Sequence, residues 1–157
     1  MSEPRPIRGS PLPLFDRLAQ GYDALEEVPA GRILDAQRLR ESVRQDLLRL
    51  LNTRASRRGA AQSAGGTVLD YGVPDFSALS PASDSDRNCL AKAIAERISA
   101  HEPRLRDVRV VVGPDAASPR SVEGVIVASL VIGEVYEPVT FHMAAGLGSA
   151  FPAVALR

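Results

Sequence analysis

Few side chains in this sequence are equipped for chemistry. Histidine occurs twice, as His101 and His142, and cysteine once, as Cys89. Neither histidine has neighbours at metal-ligand spacing, and there is no His-Glu-x-x-His helix or paired-cysteine site. A Gly-x-Ser-x-Gly elbow and a phosphate-binding P-loop are also missing. Gly146-Leu147-Gly148 opens no dinucleotide fingerprint and reads as a turn in the tail. No electropositive setting favours a Cys89 thiolate, so Cys89 reads as a small core residue. The 19 acids leave one enzymatic reading open. Two carboxylates roughly 5–9.5 Å apart suffice for glycoside hydrolysis, and spacing along a chain does not rule such a pair out. A peptidoglycan hydrolase with lysozyme-like activity is therefore the alternative. No cofactor and no metal is implied.

The most informative local feature is Glu102-Pro103-Arg104. A residue before proline is pushed out of the helical region, so the helix predicted ahead of it must stop at about His101. Glu102 then sits at the negative end of that helix, where a carboxylate is disfavoured by about 0.3–1 kcal/mol when exposed. Two readings follow. Glu102 is a surface acid offset by Arg104 or Arg106, or Glu102 and Arg104 are held apart by the rigid proline as charged contacts to a partner. On the second reading, alanine at either position leaves folding intact and weakens assembly.

The elements around this turn follow from apolar periodicity. Residues 1–13, with Pro4, Pro6, Pro11 and Pro13, read as a mobile arm, and residues 14–157 as a single domain. Leu14, Phe15, Leu18 and Tyr22 at helical spacing predict a short amphipathic helix, followed by a linker to Gly31. A strong helix is predicted over about 35–52, with Leu39, Val43, Leu47, Leu50 and Leu51 on one stripe and Asp35 as N-cap. Its opposite face carries Arg38, Glu41, Arg44, Gln45 and Arg49. A small-residue loop covers 59–66, a short strand 67–70, and Tyr71 to Phe76 read as a turn before a helical turn over 76–79. A second helix begins near Asp84 or Ser85, either able to cap it. Its inner side holds Leu90, Ala93, Ile94 and Ile98, with Cys89 on the same side.

The last third of the chain switches to a period of two. Val108, Val110 and Val112 form one alternating set. Val122, Gly124, Ile126, Ala128, Leu130 and Ile132 form a second, and Val139, Phe141 and Met143 a third. Gly113-Pro114-Asp115 and Gly133-Glu134 separate the strands with links too short for parallel crossovers. The expected fold is α+β: two main helices on one face of a small three-stranded antiparallel sheet, plus the short N-terminal helix. Val125, Val127 and Val131 fall on the other face, which is apolar enough to need a cover.

Composition narrows the function classes. Hydrophobic residues make up 45% and charged residues 24%, values ordinary for a soluble globular domain. Net charge is zero, which gives no general attraction to nucleic acid or anionic lipid. Arg49, Arg54, Arg57 and Arg58 form a local basic run, but aromatics are only 4% of the chain and none interleaves with it, as single-strand binding requires. No apolar run approaches the roughly 20 residues of a membrane span, and one cysteine fits a reducing compartment such as the cytoplasm.

Four motifs in order carry a family resemblance. These are Leu14-Phe15-Asp16-Arg17-Leu18, Leu50-Leu51-Asn52-Thr53-Arg54, Tyr71-Gly72-Val73-Pro74-Asp75-Phe76 and Glu102-Pro103-Arg104-Leu105. Together, over about residues 12–143, they resemble the TssE family, the type VI secretion baseplate subunit related to the small wedge protein of contractile phage tails. His142, Met143 and Ala144 depart from the family's pattern, where acidic and hydroxyl residues follow the Pro-Val-x-Phe element. The resemblance implies a non-enzymatic, cytoplasmic bacterial subunit that anchors and nucleates the contractile sheath. It implies as partners the wedge subunits TssF, TssG and TssK and the sheath proteins TssB and TssC. It also implies Glu102, Pro103 and Arg104 as the protein-interaction residues and a sheet edge that pairs with sheath strands.

Overall fold

The computed structural model describes residues 36–55, 71–116, 118–146 and 153–156. Two helices, α1 (Ala36–Leu51) and α2 (Asp84–His101), precede four strands: β1 (Leu105–Pro114), β2 (Ser121–Ile132), β3 (Val135–Gly146) and β4 (Ala153–Leu156). The strands form one antiparallel sheet in the order β1-β2-β3-β4, each paired with its neighbour in sequence. The α+β class, both main helices and the three long strands are those expected from periodicity. The fourth strand is an addition: Ala144 pairs with Ala153 and Phe141 with Leu156, at the far edge from β1.

Helix α1 buries Leu39, Val43, Leu47, Leu50 and Leu51, the predicted stripe, together with Ser42. Helix α2 is capped one residue earlier than expected. The Ser83 hydroxyl accepts the Asp86 N–H at 3.2 Å, and Asp84 and Asp86 place negative charge at the positive end of the helix. Its buried residues are Leu90, Ala91, Ile94 and Ile98. Ala93 is only half-buried, and Cys89 is exposed rather than a core residue. At 100° per residue, Ala91 falls about 20° past Ile98 at the edge of the inner arc, while Cys89 points nearly opposite to it.

The inner face of the sheet completes the core. Every even residue of β2 from Val122 to Ile132 is buried, as are Val139, Phe141, Met143 and Ala145 of β3. Ile126, Leu130 and Phe141 of the sheet are fully enclosed, as are Leu39 of α1 and Ile94 of α2. Burying each such side chain stabilises the fold by about 1.5–3 kcal/mol. Strand β1 changes parity on the way. Its register with β2 shifts between Arg106 and Arg109, and Asp107 adopts φ 54°. The bulge puts both Leu105 and the Val108-Val110-Val112 set on the inner face, and aspartate tolerates the left-handed conformation it needs.

The predicted arm 1–13, the helix at Leu14 to Tyr22, the cap Asp35, the loop 59–66 and the strand at 67–70 lie outside the described residues. The division into arm and domain is therefore an expectation from sequence.

Candidate protein-interaction site

The Glu102-Pro103-Arg104 turn joins α2 to β1. The Glu102 N–H closes the helix onto the Ile98 carbonyl at 2.8 Å, and the Leu105 N–H returns to the Glu102 carbonyl at 3.1 Å. The Arg104 carbonyl accepts the Val131 N–H at 2.8 Å, which starts the β1–β2 pairing. Backbone alone thus ties the turn to the helix behind it and the sheet ahead of it.

The side chains arrange themselves differently from the expected outward pair. Glu102 is 4% exposed, and its carboxylate faces Arg104 instead of pointing away from it. Arg104 Nε donates to Glu102 Oε1 at 2.6 Å and Nη2 to Oε2 at 2.5 Å, a forked, bidentate pair. The Arg104 N–H adds a third bond to Oε1 at 3.2 Å. These bonds offset the unfavourable position of a carboxylate at a helix C-terminus. Only Pro103 of the three is exposed. The turn therefore folds its two charges inward and presents its proline. Removing Arg104 would strand a buried carboxylate, and removing Glu102 would take away the bidentate partner of a mostly buried guanidinium, so alanine at either position should cost stability, where the outward-pair reading expects folding to stay intact.

Helix α1 supplies the rest of the cluster. Arg104 Nη2 also donates to Asp46 Oδ2 at 2.6 Å, and Nη1 to the Ser42 hydroxyl at 3.2 Å. Asp46 Oδ1 in turn accepts from Arg49 Nη1 at 2.8 Å. One guanidinium thus links α1, the end of α2 and the start of β1. Burial works against the Arg104 charge, but the hydrogen bonds to Glu102, with those to Asp46, outweigh it and hold its pKa above the ordinary arginine value.

Tyr71 and His101 border the cluster. Their rings meet edge to face, with centroids 5.4 Å apart. Burial, then the negative charge of Asp46, pushes the Tyr71 hydroxyl pKa up, with Arg49 opposing and Glu102 adding to the rise. Tyr71 is placed there by a tight crossing of two chain segments. Val73 N–H donates to the Thr53 carbonyl and Ala55 N–H to the Val73 carbonyl, both at 2.9 Å. Gly72 sits at φ 107°, and a Cβ there would lie 2.3 Å from the Thr53 carbonyl oxygen, so only glycine fits. The segments around Thr53 and Gly72, far apart in sequence, are thereby brought together beside Glu102 and Arg104.

The other candidate residues are scattered. Cys89 is exposed on α2, and His142 is half-buried on the outer face of β3, away from His101. In the basic run, Arg49 pairs with Asp46 and Arg54 with Asp75 at 3.5 Å, while Arg57 and Arg58 lie outside the described residues. Among the described residues no helix is long and apolar enough to cross a membrane, and no three histidine, cysteine or acidic residues are grouped to hold a metal ion.

Sequence reasoning missed Ser42 and Asp46. The signal was present: at 100° per residue, Asp46 falls about 20° outside Leu39, at the border of the Leu39-Val43-Leu50 arc, and Ser42 lies about 40° further out, one turn earlier. A carboxylate at the border of an apolar stripe calls for a cation beside it, and Arg104 is that cation.

The model of the baseplate wedge protein gp25 family matches residues 37–132, a span that contains Ser42, Asp46, Tyr71, Glu102 and Arg104. The chain belongs to this family. TssE, which the sequence motifs resemble, belongs to the same family. No curated protein matches the chain. As a baseplate wedge-like protein it has a structural role in prospect, and in it the Arg104 cluster is the point where helices and sheet are joined.

Proposed function

We propose that this chain is a structural wedge subunit of a bacterial type VI secretion baseplate, which anchors and nucleates the contractile sheath from the cytoplasmic side. Membership of the baseplate wedge family supports the structural role. The observation that carries the finer reading is the open edge of β1, whose first residues are locked by the Arg104 cluster. β1 ends the sheet order, and among the described residues no strand pairs with its outer edge. A row of unpaired backbone N–H and C=O groups is a template for a strand from another protein. The bidentate Glu102–Arg104 pair and the Asp46 bond hold the start of that edge to α1, which reduces the entropy lost when a partner strand docks.

In this reading Pro103, exposed at the root of the edge, touches the partner, while Glu102 and Arg104 position it. The sheath proteins TssB and TssC supply the pairing strand, and TssF, TssG and TssK are the neighbouring wedge subunits. The chain has no turnover of its own.

Co-expression of the full chain with these proteins, followed by pull-down, tests the proposal. Wedge and sheath proteins should co-purify. Pro103→Ala should reduce sheath capture with little change in thermal stability, whereas Glu102→Ala should reduce both. Capture at parental levels by both variants would remove the turn from the interface. Release of sugar fragments from cell-wall sacculi by the purified chain, abolished by one acid-to-amide change, would replace the structural reading with a hydrolase.

A further inference from the structure

Strand β1 has one edge on β2 and another that no strand pairs with among the described residues. Two hydrogen bonds show which of its backbone groups face which edge. The Val131 N–H reaches the Arg104 carbonyl at 2.8 Å, and the Asp115 N–H reaches the Ser121 carbonyl at 3.2 Å. The register sets Leu105 opposite Leu130 and Pro114 opposite Val122, so each bond joins directly opposed residues. In an antiparallel ladder such hydrogen-bonded pairs alternate with pairs whose N–H and C=O groups turn away. Counting back from Asp115, the residues bonded to β2 are Gly113, Val111 and Arg109. Counting forward from Arg104, the next is Arg106. The two counts meet consistently at the bulge, where Arg106 faces Ser129 and Arg109 faces Val127. Val110 and Val112 therefore turn their N–H and C=O groups to the open edge.

That edge is usable only over a short window. At one end, Asp107 with φ 54° sets two β1 residues against one of β2, which breaks the ladder. Beyond it, the Leu105 N–H already donates to the Glu102 carbonyl at 3.1 Å. At the other end stands Pro114, which has no N–H to give. From Val108 to Gly113 the window runs about 20 Å, the length of a six-residue strand. Bulges and prolines blunt sheet edges. Here they leave the middle open and fix where an added strand starts and stops.

The side chains along the window state what that strand must carry. Val108, Val110 and Val112 pack on the core, while Arg109 and Val111 are exposed on the other face. Arg109 makes no hydrogen bond or ion pair among the described residues. Because its backbone bonds to β2, Arg109 takes a non-hydrogen-bonded position toward an added antiparallel strand, where facing side chains come closest. A second copy of β1 brings no carboxylate to this stretch, since residues 108–113 contain none. Antiparallel pairing continues the pattern of the whole sheet and is the more stable per residue. On the strand-pairing reading given above, we infer that the β1 edge selects its partner by charge. It takes an antiparallel strand of another protein, with apolar residues facing Val108, Val110 and Val112 and a carboxylate facing Arg109.

Amide exchange followed by NMR in the full-length chain tests both parts of the inference. In the free chain the Val110 and Val112 amides should exchange at least about 100-fold faster than those of Val111 and Gly113. Slow exchange at Val110 and Val112 would show the edge already covered, by the chain itself or by a second copy, and would overturn the inference. The full chain is then extended by a Gly/Ser linker of about 20 residues and the strand Thr-Val-Thr-Val-Glu-Val, whose glutamate falls opposite Arg109 in the antiparallel register. Exchange at Val110 and Val112 should slow at least about tenfold, and lysine in place of that glutamate should remove at least about fivefold of the protection. Arg109→Glu, an exposed position outside the core, should reverse the preference in favour of the lysine strand. No slowing with either strand, or equal slowing with both, overturns the inference. If the exchange results hold but TssB and TssC do not co-purify with the parent chain, the sheath reading fails and the charge-selective edge stands.

Discussion

Helix α1 carries two sets of ion pairs built from the same residue types, and they do different work. On its outward side, Arg44 donates to both Glu41 oxygens at 2.8 and 2.6 Å, with Gln45 adding a bond at 3.1 Å. On its inward side, Asp46 and Ser42 bind Arg104, which binds Glu102. The outward pair is local, three residues apart on one helix, and the Glu41 side chain is half exposed. The inward cluster joins positions 58 residues apart in sequence, and its Glu102 side chain is only 5% exposed. Geometry is good in both sets. What separates them is the medium: water screens the first, and the protein interior makes the second costly to leave incomplete. A short distance alone therefore says little about what a pair contributes.

If burial sets the scale, the effects of breaking these pairs should fall in the order of exposure. Glu102→Ala removes the bidentate partner of a mostly buried guanidinium, which keeps Asp46 and Ser42, and should lower the unfolding free energy by about 1.5–3 kcal/mol in urea titrations. A loss below that of the outward pair would show that Arg104 finds solvent or another partner. Asp46→Asn keeps the shape and one acceptor, and should cost about 1–2 kcal/mol by the same measurement. The Glu102→Ala and Asp46→Asn changes share Arg104, so their combination should depart from additivity. The Arg40–Glu137 pair between α1 and β3 is intermediate, each side chain about one-third exposed, and Arg40→Ala should cost about 0.5–1 kcal/mol.

The outward pair should respond least. Glu41→Gln should change stability by less than about 0.5 kcal/mol and less still in high salt. Its pH dependence has a definite sign. Hydrogen bonds from Arg44, then Gln45, hold the Glu41 carboxyl down to about 2 from an ordinary 4.5. A depressed carboxylate stabilises the fold fully above its unfolded value and loses that contribution as pH falls through the folded one. The difference between parent and Glu41→Gln should thus be constant above pH 4.5 and shrink toward about pH 2. A difference that grows with acid would contradict the assignment.

Much of the fold is legible in the order of apolar residues. The α1 stripe and the even-numbered face of β2 follow from periods of 3.6 and 2, because a side chain's direction within one element is set by local backbone geometry. Where local geometry is irregular, legibility stops. The Asp107 bulge reverses the parity of β1, and nothing in Arg106-Asp107-Val108 announces which residue takes the left-handed conformation. Four residues with two alanines are too short a run to mark β4. Cys89 was misplaced because a single step around a helix separates the core from solvent.

The candidate site shows the same division at the level of chemistry. From sequence alone, the proline ends α2, puts Glu102 at the helix terminus and sets Arg104 two residues on; these are consequences of covalent structure and local sterics. Whether those charges face a partner or each other is a question of what lies across from them. Tertiary structure answered it by bringing Asp46 and Ser42 of α1 within hydrogen-bonding distance of Arg104. Desolvation depends on atoms supplied by the whole fold, so the burial of Glu102, and with it the conversion of an apparent surface turn into the joint between helices and sheet, had no local signature to read.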